Sequence, residues 1–301
     1  MSLTHCLPHA VSPDAALHLP QLTLLSLTDE VGVCITLYRS LRLSPTVTLH
    51  LSLWVDREDS FGEIFTALSE NLHPDHCSFT KMEVNITVED NWQEAGAVND
   101  DDLYHDIHIA AWRDGFPQDG PSHLAVHVRM PGDLPTGPPG AVQRFVHELP
   151  IRHGALRNVQ VSTEVEWSAS DWIDLLGAAH ELRELGANAE AAEDLYAILE
   201  TELAASFDSA SSTLPVPCLY WPRLEVLELR DIDLTLIPLF DDFPNQLDCR
   251  LDESNEDLLS CLGIRKARGA PIKTIRLHKC DTDSHMEAAL GHIVPNVVIE
   301  T

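Results

Sequence analysis

The sequence predicts an α/β protein: a curved, mainly parallel sheet with helices along its convex side. Three observations lead to this. Leucine supplies 43 of the 301 residues, which directs attention to internal repeats. Short extended segments of the form apolar-x-apolar recur along the chain. Helical stretches fall between several of them, and parallel neighbours need such crossovers.

Taken in order, the extended segments are Leu22-x-x-Leu25-x-Leu27, Val47-x-Leu49-x-Leu51-x-Leu53, Phe79-x-x-Met82-x-Val84-x-Ile86 and Ile107-x-Ile109. They continue with Leu124-x-Val126-x-Val128, Val159-x-Val161, Leu182-x-x-Leu185, Leu224-x-x-Leu227-x-Leu229 and Ile272-x-x-Ile275-x-Leu277. Period-two alternation puts every second side chain on one face, as a half-buried strand requires. Helices are expected near 32–42, 60–72, 170–181, 190–204 and 255–268. The last has Glu256 and Asp257 at its start and Arg265, Lys266 and Arg268 at its end, before Gly269 and Pro271 stop it.

Anchors at Leu25, Leu49, Met82, Ile107, Val126, Val159, Leu185, Leu227 and Ile275 stand 19 to 48 residues apart. A leucine-rich repeat runs roughly 20–29 residues, so the expected array is a degenerate leucine-rich-repeat solenoid. It is expected to occupy residues 1–301 as a single irregular array. Loop or subdomain breaks are expected at 130–140, where four prolines and three glycines collect, and at the serine-rich stretch 206–217.

The segment Trp221-Pro222-Arg223-Leu224-Glu225-Val226-Leu227-Glu228-Leu229 makes the pattern more specific. It continues through Leu258-Leu259-Ser260-Cys261-Leu262 into Gly269-Ala270-Pro271-Ile272-Lys273-Thr274-Ile275-Arg276-Leu277 and Cys280. These residues resemble the C-terminal leucine-rich-repeat region of fungal, especially basidiomycete, F-box proteins. The stretches from Leu19 to Leu53 and from Trp172 to Leu203 resemble other parts of that region. In the repeat consensus Cys280 takes the Asn/Cys position, and Ile232 takes it one repeat earlier. The resemblance implies substrate recognition for a cullin-type ubiquitin ligase, with the ligase adaptor as partner only if an F-box lies upstream. Glu63-Ile64-Phe65-x-x-Leu68 echoes an F-box, but no Leu-Pro precedes it, and a convex-side helix accounts for it better.

Charge and targeting narrow the classes. With 48 acidic and 19 basic side chains the net charge is −29, a field that repels nucleic-acid phosphates and anionic membranes. The longest candidates for a membrane span, 43–55 and 15–28, fall short of the ~20 residues that cross a bilayer. No signal peptide is visible, and the seven cysteines include no C-x-x-C pair. An intracellular protein of the cytoplasm or nucleus, with reduced thiols, is expected.

Motifs for chemistry are sparse. His180-Glu181-Leu182-Arg183-Glu184 misses the second imidazole of the zinc-protease pattern, and Asp281-x-Asp283-x-His285 lacks the glycine and glutamate of a calcium loop. No nucleophile elbow, phosphate loop or dinucleotide turn occurs. No cofactor, metal or catalytic residue is therefore expected. The leading expectation is a non-enzymatic protein-binding module. The alternative is an α/β hydrolase or metal-dependent enzyme whose site is assembled from distant residues. Histidines sit between apolar anchors in Leu49-His50-Leu51, Ile107-His108-Ile109 and Val126-His127-Val128, and alternation turns them onto the open concave face. The candidate partner-binding residues on that face are His50, His108, His127, Glu228, Arg230, Arg276 and His278. His108 and His127 stand side by side if their strands pair in register.

Overall fold

The structure, a computed structural model, describes residues 2–4, 17–44, 46–57, 59–71, 79–90, 103–114, 120–149, 152–203, 218–235 and 253–300. It is α/β. Contacts divide it into two compact units, 1–165 and 166–301, where the sequence suggests one array.

The first unit contains β1 (Ser2–Thr4), β2 (Leu17–Leu19), β3 (Leu24–Glu30), α1 (Val31–Ser40), β4 (Leu41–Leu43) and β5 (Thr48–Trp54). There follow α2 (Asp59–Asn71), β6 (Phe79–Asp90), β7 (Leu103–Arg113), β8 (Leu124–Pro131), α3 (Gly137–Glu148) and β9 (Asn158–Thr163). Its main sheet has the order β1-β3-β5-β8-β7-β6-β9. β1, β3, β5 and β8 are parallel neighbours, as are β6 and β9, whereas β6, β7 and β8 form an antiparallel meander. The sheet is therefore mixed, which corrects the expectation of a mainly parallel sheet for this unit. No helical pattern separates the anchors Met82, Ile107 and Val126, and without a crossover consecutive strands can only return antiparallel.

Each helix of this unit buries one stripe. Val31, Cys34, Ile35 and Tyr38 of α1 are buried, as are Phe61, Ile64, Phe65 and Leu68 of α2 and Ala141, Val142, Phe145 and Val146 of α3. The i, i+3, i+4 spacing gives each helix a continuous apolar face. These stripes meet Leu51, Leu53, Ile107, Ile109, Val126 and Val128 on a single face of the sheet. The F-box echo thus lies in α2, with Ile64, Phe65 and Leu68 in the core. The proline-rich segment 130–140 contains a loop at 132–136 between two regular elements. It holds the end of β8, a turn, and the first turn of α3, with Gly137 at φ 59° and prolines at the first helical positions. Proline lacks the N–H that a first turn leaves unpaired, so a Pro-Pro pair starts a helix as readily as it ends one.

The second unit runs α4 (Ala169–Leu176), β10 (Glu184–Asn188), α5 (Ala189–Ala192), α6 (Leu195–Glu200), β11 (Glu202–Leu203), β12 (Cys218–Leu219) and β13 (Val226–Arg230). It continues with β14 (Asp233–Leu234), α7 (Glu253–Ala267), β15 (Thr274–His278), β16 (Asp281–Thr282), α8 (Ser284–Ile293) and β17 (Asn296–Glu300). Strands β10, β13, β15 and β17 are parallel throughout. The expected helix 190–204 is two short ones, and α8 and β17 extend the unit beyond the last expected strand. Asp283 caps α8, accepting from the N–H groups of His285 (2.9 Å) and Met286 (2.7 Å). The expected break at 206–217 lies outside the described residues.

Corners repeat in this unit. Asp231 and Lys279 follow β13 and β15 at equivalent positions, with φ 54° and 52°. Each corner leads to a short second strand, β14 or β16, and these two pair in parallel. Cys280 donates its thiol weakly toward the Leu229 carbonyl of the preceding strand, at 3.4 Å.

The core of this unit is held by polar staples. Trp172 Nε1 donates to the Ala191 carbonyl (2.9 Å), and Trp221 Nε1 donates to the Leu176 carbonyl (2.8 Å). Arg265, expected as a surface residue at a helix end, is fully buried. Its guanidinium donates to the carbonyls of Leu199 (3.2 Å), Tyr220 (3.0 Å) and Trp221 (2.8 Å). Trp221 is held at φ 46°, a region that costs a bulky residue roughly 1–3 kcal/mol, and Arg265 secures the corner that contains it.

Leu25, Leu27, Leu49, Leu51, Leu227, Leu229, Ile275 and Leu277 are all buried, as their alternation predicts. Leu227→Ala is expected to lower unfolding stability by about 2–5 kcal/mol. Arg265→Ala is expected to cost at least about 3 kcal/mol, since buried carbonyls lose their donors at about 1–3 kcal/mol each. The exposed Arg268→Ala should stay within about 0.5 kcal/mol. Denaturant melts of the three variants measure the difference.

Candidate binding face

The site follows from alternation plus register. In the first unit the aliphatic residues of β3, β5, β8, β7, β6 and β9 face the helices, so the intervening residues face the opposite way. Register then assembles them into rows running across the strands. One row is Thr28, Ser52, His127, His108, Asn85 and Ser162, each paired with the next. The row before it contains Ser26, His50, Ala125, Ala110, Glu83 and Gln160, and the row after it Glu30, Trp54, Arg129, Asp106 and Thr87. These three rows are polar apart from two alanines and Trp54, and flanking positions on the same face add Leu24, Tyr104 and Trp112.

Three candidate residues come together here. His108 and His127 are direct register partners, and His50 sits one row away on β5. Although His108 opens to solvent, crowding of its ring is the main cause of a lowered pKa. The like charges of His127 and His50 add to this, against an upward pull from Glu83. Burial likewise lowers His105, and burial with Arg113 lowers His123.

The same face holds residues that sequence reasoning missed. His127 Nε2 lies 2.9 Å from Asp106 Oδ1, and His127 Nδ1 lies 3.1 Å from Ser52 Oγ. The Asp106 carboxylate accepts from Nε2–H, while the Ser52 hydroxyl can meet Nδ1 as donor or as acceptor. Arg129 stands beside this line, pairing with Glu89 (2.9 Å), approaching Asp106 (3.9 Å) and stacking over Tyr104 at 5.1 Å. Ser52 and Asp106 lie two residues from His50 and His108 on their own strands. The signal was therefore the same alternation, but the cross-strand register that joins them was not visible.

Chemically, Ser52, His127 and Asp106 have the members of a nucleophile, base and orienter. The nucleophile, however, lies mid-strand. β5 pairs on both sides through Ser52, and the ladder engages the N–H groups that an oxyanion hole would need. The described thiols offer no better nucleophile. Burial pushes Cys34 and Cys261 up to about 12 and also raises Cys280.

The other four candidates form a second cluster, in the second unit. Glu228 is nearly buried and accepts from Arg230 Nε at 2.7 Å. Arg276 (3.7 Å) and His278 (3.6 Å) approach the same carboxylate. His278 Nδ1 also lies 3.1 Å from Glu300, and Arg276 lies 3.7 Å from Glu184. The register pairs Glu228 with Arg276 and Arg230 with His278, which makes this a preorganised patch of alternating charge.

Among the described residues, no three His, Cys, Asp or Glu side chains converge to hold a metal ion, and no helix is long and apolar enough to cross a membrane. Residues 180–184 lie in a turn running into β10, so His180 and Glu184 share no helical face. No protein-family model matches the chain, and a search of curated proteins finds no significant match.

The lowered histidines give a testable sign. Their neutral forms are favoured in the folded state, so their contribution is present above the ordinary histidine pKa of ~6.5 and lost as pH falls through the depressed values. The melting temperature is expected to fall between pH 7.5 and pH 5.5. His108→Gln should shrink that fall, as thermal melts of both proteins at the two pH values will measure.

Proposed function

We propose that the chain is a non-enzymatic protein-binding module that captures its partner on the open sheet face. The observation that carries this reading is the ordered polar surface built by the rows of β3, β5, β8 and β7. Aliphatic side chains seal the opposite face under helices, whereas this face offers imidazoles, hydroxyls and an exposed tryptophan in fixed geometry. Preorganised groups lose little entropy on binding, which is how a modest polar surface gains affinity.

The degenerate leucine-rich-repeat solenoid belongs to the same proposal. It is supported by the 24-residue step from β3 to β5, by the paired short strands β2 and β4, and by the matching corners after β13 and β15. Its resemblance to fungal F-box proteins extends the proposal to substrate recognition for a cullin-type ligase, with the adaptor as a partner only if an F-box lies upstream. The charge network of Glu228, Arg230, Arg276 and His278 is a second contact surface under this reading. Charged patches of that kind select partners and speed encounter more than they add affinity.

A second reading, an α/β hydrolase, rests on the line Ser52–His127–Asp106. A fluorophosphonate probe distinguishes the two. The binding reading predicts that wild type and Ser52→Ala label equally weakly, whereas strong labelling lost in Ser52→Ala would favour the hydrolase.

The binding reading is tested by affinity capture and mass spectrometry with wild type and the His50/His108/His127→Ala variant. The expected result is a partner recovered by wild type and depleted at least about tenfold with the variant. A partner set unchanged by the triple substitution would contradict the assignment of this face.

A further inference from the structure

The row that follows the histidines ends in a cavity. Glu30, Trp54 and Arg129 are successive register partners on β3, β5 and β8, and together with Asp56 and Tyr104 they line a space of about 560 Å³. That is within the roughly 300–1,000 Å³ range of small-ligand sites. Trp54 is 56% exposed, in a sheet whose other large apolar side chains are mostly hidden. We propose that this cavity receives a cationic side chain, preferably arginine, from a basic segment of the partner protein. The proposal rests on the protein-binding reading and names the chemistry of its partner.

Charge bookkeeping at the cavity favours a cation. Arg129, the one lining cation among the described residues, is already paired with Glu89, lies near Asp106, and is stacked on Tyr104. Glu30 and Asp56 remain as exposed carboxylates, and Asp56 makes a solvent-exposed pairing with Arg57 at 3.5 Å. Such a pair contributes little and yields readily. The opposing effect is the start of α1, because Val31 and Gly32 line the same space. A helix N-terminus carries roughly half a positive charge, less than the two carboxylates supply. The whole chain, at −29, draws basic segments toward it.

Arginine suits the walls better than lysine does. Its planar guanidinium can stack on an indole ring and pair edge-on with a carboxylate at the same time. Tryptophan is the best aromatic partner for a cation, contributing about 0.5–2 kcal/mol depending on exposure. Glu30 next to Trp54 in register provides both partners on adjacent strands.

The test uses the full chain and small probes, because any polycation would adhere to so acidic a protein. N-acetylarginine methylamide and its neutral citrulline analogue are titrated while the Trp54 indole N–H resonance is followed by NMR. The expected result is a saturating shift with the arginine compound and at least about tenfold weaker binding of the citrulline compound. Binding should weaken at least about tenfold in Glu30→Gln/Asp56→Asn, read from the same resonance, and in Trp54→Leu, read by isothermal titration calorimetry against wild type, all surface changes whose folding circular dichroism verifies. Equal response to arginine and citrulline, or a saturating response to inorganic phosphate, would overturn the proposal. The two readings fail separately. A captured partner that depends on the histidines but not on Trp54, Glu30 or Asp56 overturns the cavity assignment alone. Arginine binding without any histidine-dependent partner leaves the cavity standing and removes the face.

Discussion

Cross-strand register is the constraint on which the rest of the first unit depends. With a side-chain period of two, one residue of slip in any strand would send its aliphatic set to solvent and its polar set into the core. The core therefore enforces the register: Leu49, Leu51 and Leu53 on β5 must stay level with Leu124, Val126 and Val128 on β8. The opposite face is then fixed without any energy of its own being needed. His108 meets His127, His127 meets Ser52, and Arg129 meets Trp54 as a consequence of the alignment that keeps the aliphatic residues level. A polar surface ordered by a buried apolar one can tolerate imidazoles at close quarters, whose mutual repulsion would separate them on a loop.

The second unit solves a different problem. Its parallel strands are short, and the loops between them bury polar backbone. Arg265 supplies donors to three carbonyls from two separate segments, and Trp221 and Trp172 supply one each to helix ends. A buried guanidinium is expensive to desolvate unless its donors are used, so this arrangement favours one arrangement of α6, α7 and the Trp221 corner over its competitors. On the open side Glu228 does a comparable job, drawing Arg230, Arg276 and His278 into a single network.

Much of this was legible in the sequence because it rests on local periodicity. Each of the nine anchor residues falls in a strand, and the helices near 32–42, 60–72 and 255–268 form within a residue or two of their expected bounds. The outward turn of His50, His108 and His127 is likewise a property of each strand alone. What escaped depended on relations between strands. The meander β6-β7-β8 was signalled only by a missing helix, and the Ser52–His127–Asp106 line needs the pairing of three strands that sequence does not display. Proline misled at Pro138 and Pro139, since the same residue that breaks a helix interior begins a helix without penalty. Arg265 misled because a basic residue near a helix C-terminus ordinarily serves the dipole at the surface, and nothing local marks it as a buried donor.

The most direct test of this account is the neighbourhood of the His108 ring in solution, read from nuclear Overhauser contacts in protein labelled selectively at histidine. The account predicts contacts between His108 and His127 across β7 and β8, with neither ring touching the methyl groups of Val126, Val128 or Ile109 on the helix-covered side. Contacts from His108 to those methyls, or to residues one step out of register on β8, would contradict it.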